Sequence, residues 1–300
     1  MKLELEILRY NEKGITADID AECLHEFRVA LRKTRVALNE LNTVFPEEKI
    51  GAFMHKFDDL GTITNRLRDY DVFLPRKDHL LKTLSPDMRP ALLNFFKAQQ
   101  RQRRRQFLML VSMINSKAYL SLMASWKKFL ENAEKMPPTE LSEVPVLQAV
   151  SGGIMKKLSK VIAKGTDVKS DSPDAALHKV RIQCKKLRYL LDFFYPAFPK
   201  NTAARALRNL KNVQAVLGDF NDYSVQIRNI DRSLHKLASG KSAIKNAAAL
   251  GAVITKLSQE KAKKRNQFGK VFSKFRSRTT IAPLESFLKK TKFEVESADK

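Results

Sequence analysis

Leu24-His25-Glu26-Phe27-Arg28-Val29-Ala30-Leu31-Arg32-Lys33-Thr34-Arg35 returns in altered form as Leu177-His178-Lys179-Val180-Arg181-Ile182-Gln183-Cys184-Lys185-Lys186-Leu187-Arg188. His25 and His178 stand 153 positions apart, and the same offset relates Arg28 to Arg181, Arg32 to Lys185, Lys33 to Lys186 and Arg35 to Arg188. It continues without a gap through Leu38 and Leu191 to Phe45-Pro46 and Phe198-Pro199. At about 100° per residue, Arg28, Arg32 and Arg35 lie within about 80° of His25 on one helical stripe. Leu24, Phe27, Leu31, Leu38 and Phe45 lie on the opposite side. One face is core and the other is a row of cations. Like charges at this spacing cost roughly 0.2–0.5 kcal/mol per pair. No carboxylate stands in the first row to offset them, so the pattern asks for an anion.

The whole chain points the same way. Its 300 residues are 43% hydrophobic, enough for a substantial core, yet the net charge is +24. Such a charge fits a polyanionic partner: nucleic acid, inorganic polyphosphate or an anionic membrane surface. Residues 1–150 hold 24 Lys+Arg against 20 Asp+Glu, whereas residues 151–300 hold 32 against 12. Most of the electrostatic pull therefore sits in the second half. The two cysteines, Cys23 and Cys184, fall on apolar helix sides and read as buried free thiols of a reducing compartment. With no signal-like start and no apolar run of about 18 residues, the expectation is a soluble cytoplasmic protein without a membrane partner.

Periodicity predicts helices throughout and no strands. The first basic helix is expected over residues 20–44, stopped by Phe45-Pro46. A second follows to about Leu67, then a short one over 72–84, a long one from Pro90 to Ile114, and another over 119–134. Met136-Pro137-Pro138-Thr139 through Pro145 reads as the linker between two halves, residues 1–140 and 141–300. Beyond it come helices over 146–164, a start at Ser172-Pro173-Asp174, then 202–217, 222–238, 242–275 and a short one after Pro283. Asp69, Asp71, Asp219 and Asp222 read as caps at helix ends. Leu60, Ile63, Leu67, Asp69 and Tyr70 align with Leu210, Val213, Leu217, Asp219 and Phe220 at an offset of 150, implying a three-residue deletion. The expected fold is all-α: two antiparallel four-helix bundles related by internal duplication and a pseudo-two-fold axis. Residues 1–18 carry no functional reading.

The pattern His-x-x-Arg-Val-x-x-Arg-Lys-x-Arg at His25–Arg35, its second copy at His178–Arg188, and Leu-Arg-Asp-Tyr-Asp-Val at Leu67–Val72 resemble the CHAD domain, the conserved histidine α-helical domain. The resemblance covers about residues 20 to 290. It implies two four-helix bundles as a pseudo-dimer, a basic central cavity, binding of inorganic polyphosphate and no catalytic activity. No cofactor is expected, and polyphosphate granules become a second expected location. The matched positions are His25, Arg28, Arg32, Lys33 and Arg35, with His178, Arg181, Lys185, Lys186 and Arg188. Two departures stand out: Arg32 becomes Lys185, a point charge in place of a fork, and Arg68 faces Gly218 at the 150 offset. The second set is expected to be the stronger.

Other residues extend or compete with this reading. Arg205, Arg208 and Lys211, at i, i+3 and i+6, are expected to lengthen the second stripe. Arg101, Arg103, Arg104 and Arg105 encircle their helix and offer at most an auxiliary contact. Lys261, Lys263, Lys264 and Arg265 read as a solvated steering surface, with Lys156, Lys157, Lys160 and Lys164 in between. Asp192, one turn after Arg188, can occupy it. No metal is expected, because neither histidine is followed by a ligand at i+3 or i+4. Nucleic-acid binding is the first alternative, although the first stripe lacks stacking aromatics and only Tyr189 adjoins the second. A polyphosphate-metabolising enzyme is the second alternative. It finds no Ser-His-Asp arrangement or phosphate-cradling glycine loop to support it.

Overall fold

The structure is a computed structural model that describes residues 1–41, 47–135, 144–235 and 241–298. Regular structure among the described residues is entirely helical, as the periodicity required: α1 (Lys2–Thr16), α2 (Ala21–Glu40), α3 (Glu47–Phe73), α4 (Lys77–Lys82), α5 (Arg89–Ile114), α6 (Lys117–Asn132), α7 (Val146–Thr166), α8 (Asp174–Phe194), α9 (Ala204–Leu234), α10 (Lys241–Arg276) and α11 (Arg278–Ala298). The stop expected at Phe45-Pro46 lies outside the described residues, as does most of the expected linker. No single described helix is long and apolar enough to cross a membrane.

The apolar stripe of α2 is buried as its spacing demands, with Leu24, Phe27, Leu31 and Leu38 in the core. Asp20 starts that helix by accepting the Glu22 N–H at 2.9 Å. Around it α1, α3, α6 and the end of α5 form one apolar cluster, centred on the buried Trp126, Phe57 and Phe27. Helix α1 belongs here through Leu5, Leu8 and Ile15. A second cluster joins α7, α8, the start of α9, the end of α10 and α11. A third packs Phe73, Phe95 and Phe96 of α3 and α5 against Ile230 of α9 and Leu250 and Val253 of α10. Each large apolar side chain removed from water contributes about 1.5–3 kcal/mol. This third cluster therefore binds the two sequence halves firmly, a join that the two-bundle expectation lacked.

Three boundaries differ from expectation, each for a physical reason. Helices α3 and α9 run straight through Asp69, Asp71, Asp219 and Asp222, so these acids are interior helical residues and not caps. The propensity cost of aspartate is below about 0.7 kcal/mol. The apolar face that continues through Leu67 and Phe73, and through Phe220 and Ile230, outweighs it. Helix α11 contains Pro283. Proline leaves the carbonyl four residues earlier without its helical donor. That carbonyl, Thr279 O, accepts from Arg205 Nη1 at 3.3 Å. Finally, Ser172 accepts the Lys169 N–H at 2.9 Å, and Pro173 holds the N-cap position of α8.

The third helix of each half also corrects the repeat register. At an offset of 150, Ile63, 44% exposed, would match Val213, 0% exposed. An offset of 153 matches Leu60 with Val213 and Leu67 with Phe220, all buried, and aligns Asp69-Tyr70 with Asp222-Tyr223. No deletion is needed, and Arg68 corresponds to Asn221 in place of Gly218.

Candidate functional site

The two basic helices pack against each other, and their cationic faces meet at a seam. Arg28 lies over α3, donating from Nη1 to Gly61 O at 3.1 Å and to Thr64 Oγ1, and from Nη2 to Asn65 Oδ1 at 2.7 Å. Gly61 also leaves room for a second guanidinium: a Cβ there would stand 2.8 Å from Arg35 Nη1. Arg35 also pairs with Asp58 of α3. Arg32 reaches the other way, into the second half. Its guanidinium donates to Tyr189 Oη and lies 4.9 Å from the ring centroid, while Arg188 lies 4.7 Å from the same centroid. Arg28, Arg32, Arg35, Gly61 and Asn65 line a cleft of about 260 Å³ with Leu31 and Thr62.

Burial and mutual repulsion mark the centre of this seam. Burial, then Arg181, Arg32 and Arg28, push the Lys185 ammonium down to about 7, with Asp222 acting in the opposite direction. Burial and the neighbouring Arg32 bring Arg28 down to about 10. Arg181 is lowered by burial first, and Arg32 adds to it while Asp222 opposes. Two acids share the environment. Asp69 lies on an exposed part of α3, yet partial desolvation raises it, with Asp222 adding and Arg28, Arg181 and Lys185 opposing. Burial likewise raises Asp222, with Arg181 and Arg76 opposing. Among the described residues neither carboxylate forms an ion pair within 4 Å. The Nε–H groups of Arg35, Arg181 and Arg188 are buried without a hydrogen-bond partner.

The remaining expected site residues scatter around this centre. His178 is exposed, its Nδ1 3.1 Å from Asn221 Oδ1. His25 is half-buried and its pKa is lowered by burial first and by Arg68 next. Glu22 and Glu26 bring carboxylate oxygens, with a ring nitrogen of His25, within 4.8 Å of one another. The expectation of no metal had looked only forward from the histidine and so overlooked Glu22. Lys33 turns away to buried Glu4 of α1, 3.0 Å distant, and Lys186 is exposed to solvent. Asp192 holds Arg188 at 3.5 Å and Lys211 at 3.6 Å, which places Lys211 at the edge of the seam. Arg205 is committed to Thr279, and Arg208 is exposed.

Several other cations are structural ties. Arg103 bonds both Asp71 and Asp18, at 2.8 and 2.7 Å. Lys261 and Arg265 hold Asp174 at 2.7 and 2.9 Å, and Lys264 holds Asp219 at 2.8 Å, so the expected steering surface clamps α10 onto α8 and α9. Lys157 pairs with Glu40 at the end of α2. Sequence reasoning missed Asp69 and Asp222 as members of the site, and Tyr189 as its bridge. The signal for the acids was Asp-Tyr-x-Val, present twice at the 153 offset.

The CHAD domain family model matches residues 1–231, so the chain belongs to the CHAD domain family. The crystal structure of the CHAD domain from the plant Ricinus communis superposes with a TM-score of 0.70 at 22% identity, covering 90% of this chain and 87% of that one. PptA from Streptomyces chartreusis superposes with a TM-score of 0.64 at 15% identity, covering 90% and 98%. At these identities the likeness speaks for the fold. No curated protein matches the sequence.

Proposed function

We propose that the chain binds inorganic polyphosphate at the α2–α8 seam and does not transform it. The observation that carries this is the convergence of Arg28, Arg32, Arg181 and Lys185, two from each basic helix, where burial and repulsion depress Lys185 and both flanking arginines. Cations held together at such a cost are stabilised by an anion that touches several of them at once. Guanidinium donors make charge-assisted hydrogen bonds to phosphate about twice as strong as neutral ones. Each released counterion steepens the salt dependence. Membership of the CHAD family supports the same reading, and a cytoplasmic setting near polyphosphate granules would follow from it.

Nucleic-acid binding fits less well. Tyr189, the aromatic side chain at the seam, is 3% exposed and engaged by Arg32 and Arg188, so it cannot stack on a base. The enzyme alternative gains nothing from Thr64, the hydroxyl beside Arg28, which is buried and donates to Leu60 O at 3.0 Å. Competition tests the proposal: long-chain polyphosphate should displace labelled polyphosphate, and single-stranded RNA at equal phosphate concentration should not. Equal displacement, or release of orthophosphate or ATP by the purified protein, would refute it.

A further inference from the structure

A polyanion site with two carboxylates at its centre needs an explanation. Asp69 and Asp222 occupy equivalent positions of α3 and α9 at the 153 offset, and each stands beside the arginine of its own half. Asn65, which holds Arg28 Nη2 at 2.7 Å, lies one helical turn before Asp69. Asn221, which contacts His178 on α8, is the residue before Asp222, and His178 lies one turn before Arg181. The charged groups around Asp69 are Arg28, Arg181, Lys185 and Asp222; those around Asp222 are Arg181, Arg76, Lys185, Asp69 and Asp219, with the side chain of Asn221 hydrogen-bonded to it. Yet neither acid closes an ion pair within 4 Å among the described residues, and Arg181 Nε stays without a partner. The two carboxylates act on the seam through space and not by closing ion pairs.

We propose that Asp69 and Asp222 are selectivity residues, which set a fixed electrostatic penalty for any phosphate at the centre of the seam and make binding proton-coupled. The inference rests on the polyphosphate reading and deepens it. A short phosphate places all its charge beside the two acids. A long chain can hold on through Arg35, Arg188 and Lys211, away from the centre, and leave the centre unfilled. It escapes part of the penalty that a short phosphate must bear in full, so the acids favour long chains over short ones. Phosphate arriving beside a carboxylate also favours its protonated form, in which the acid donates a hydrogen bond to the phosphate and repels it no longer. Lys185 takes up a proton for the same reason, so binding consumes protons near neutral pH.

The test is titration calorimetry of the full chain with tripolyphosphate and with long-chain polyphosphate, in two buffers of different ionisation enthalpy. The Asp69→Asn, Asp222→Asn double variant is compared with wild type, its fold checked by circular dichroism. Removing two negative charges should tighten tripolyphosphate binding by about tenfold and long-chain binding by less, and, compared in a Lys185→Met background, it should reduce the protons taken up per chain. Equal gains for both lengths, or unchanged proton uptake, would overturn the inference. So would weaker binding of both ligands by the folded variant in the presence of magnesium, which would mark the acids as holders of a divalent cation. Wild-type protein that binds neither phosphate would instead remove the polyphosphate reading itself.

Discussion

Lys185 concentrates the energetics of the seam in one side chain. Its folded pKa of about 7 lies below the ordinary lysine value of 10.5. Between those values the unfolded chain binds more protons than the folded one, so the penalty of burying this lysine is greatest below about pH 7 and shrinks as pH rises. Lys185→Met is therefore expected to raise the thermal unfolding midpoint, and to raise it more at pH 6 than at pH 9. Equal gains at both pH values would contradict the assignment. A bound polyanion favours the charged lysine, so polyphosphate affinity in wild type should fall as pH rises from 6 to 8.5, and fall less in Lys185→Met. Tyr189 gives a second expectation. Tyr189→Phe keeps the ring under Arg32 and Arg188 but removes the acceptor of the Arg32 hydrogen bond. Urea unfolding should show a loss of about 1–3 kcal/mol.

At the level of elements, the sequence made the basic helices legible because their information is local: a cationic stripe and an apolar stripe on one helix, repeated. The start at Asp20 was equally plain, whereas periodicity put the start of α6 at 119 and passed over Ser116, whose side chain accepts from Tyr119 N. Asp69 and Asp222 were misread because a capping signal is a local competitor to the helix, and the tertiary burial that overrides it cannot be seen in a short window. Arg103 was misread for a related reason: its partner Asp18 lies 85 residues away. Arg205 shared the spacing of Lys211 yet serves the carbonyl that Pro283 leaves bare, a demand set by another helix. Arg205→Ala should thus cost about 1 kcal/mol of stability and leave polyphosphate affinity unchanged. Gly153 shows how closely the elements approach. A Cβ there would stand 2.2 Å from Glu40 Oε2, the carboxylate paired with Lys157. Gly153→Ala should push the Glu40 carboxylate aside and weaken its pair with Lys157 at a cost of about 1 kcal/mol, read by thermal unfolding.

Across the whole molecule, the two halves are joined chiefly by the apolar cluster of α3–α5 with α9 and α10 and by the cationic seam of α2 with α8. The first join is hydrophobic and stabilises the chain without a ligand. The second gathers positive charge from both halves, and a net charge of +24 adds a long-range field that draws polyanions toward it. A common offset of 153 through both basic helices and both Asp-Tyr pairs is the pattern an internal duplication would leave. The most direct measurement is equilibrium binding of long-chain polyphosphate to wild type and to the Arg28→Gln, Arg181→Gln double variant at low and moderate salt. Wild-type affinity should fall steeply with salt, and the variant should bind at least about tenfold more weakly with a shallower salt slope. A correctly folded variant that binds as tightly as wild type, with the same slope, would contradict it.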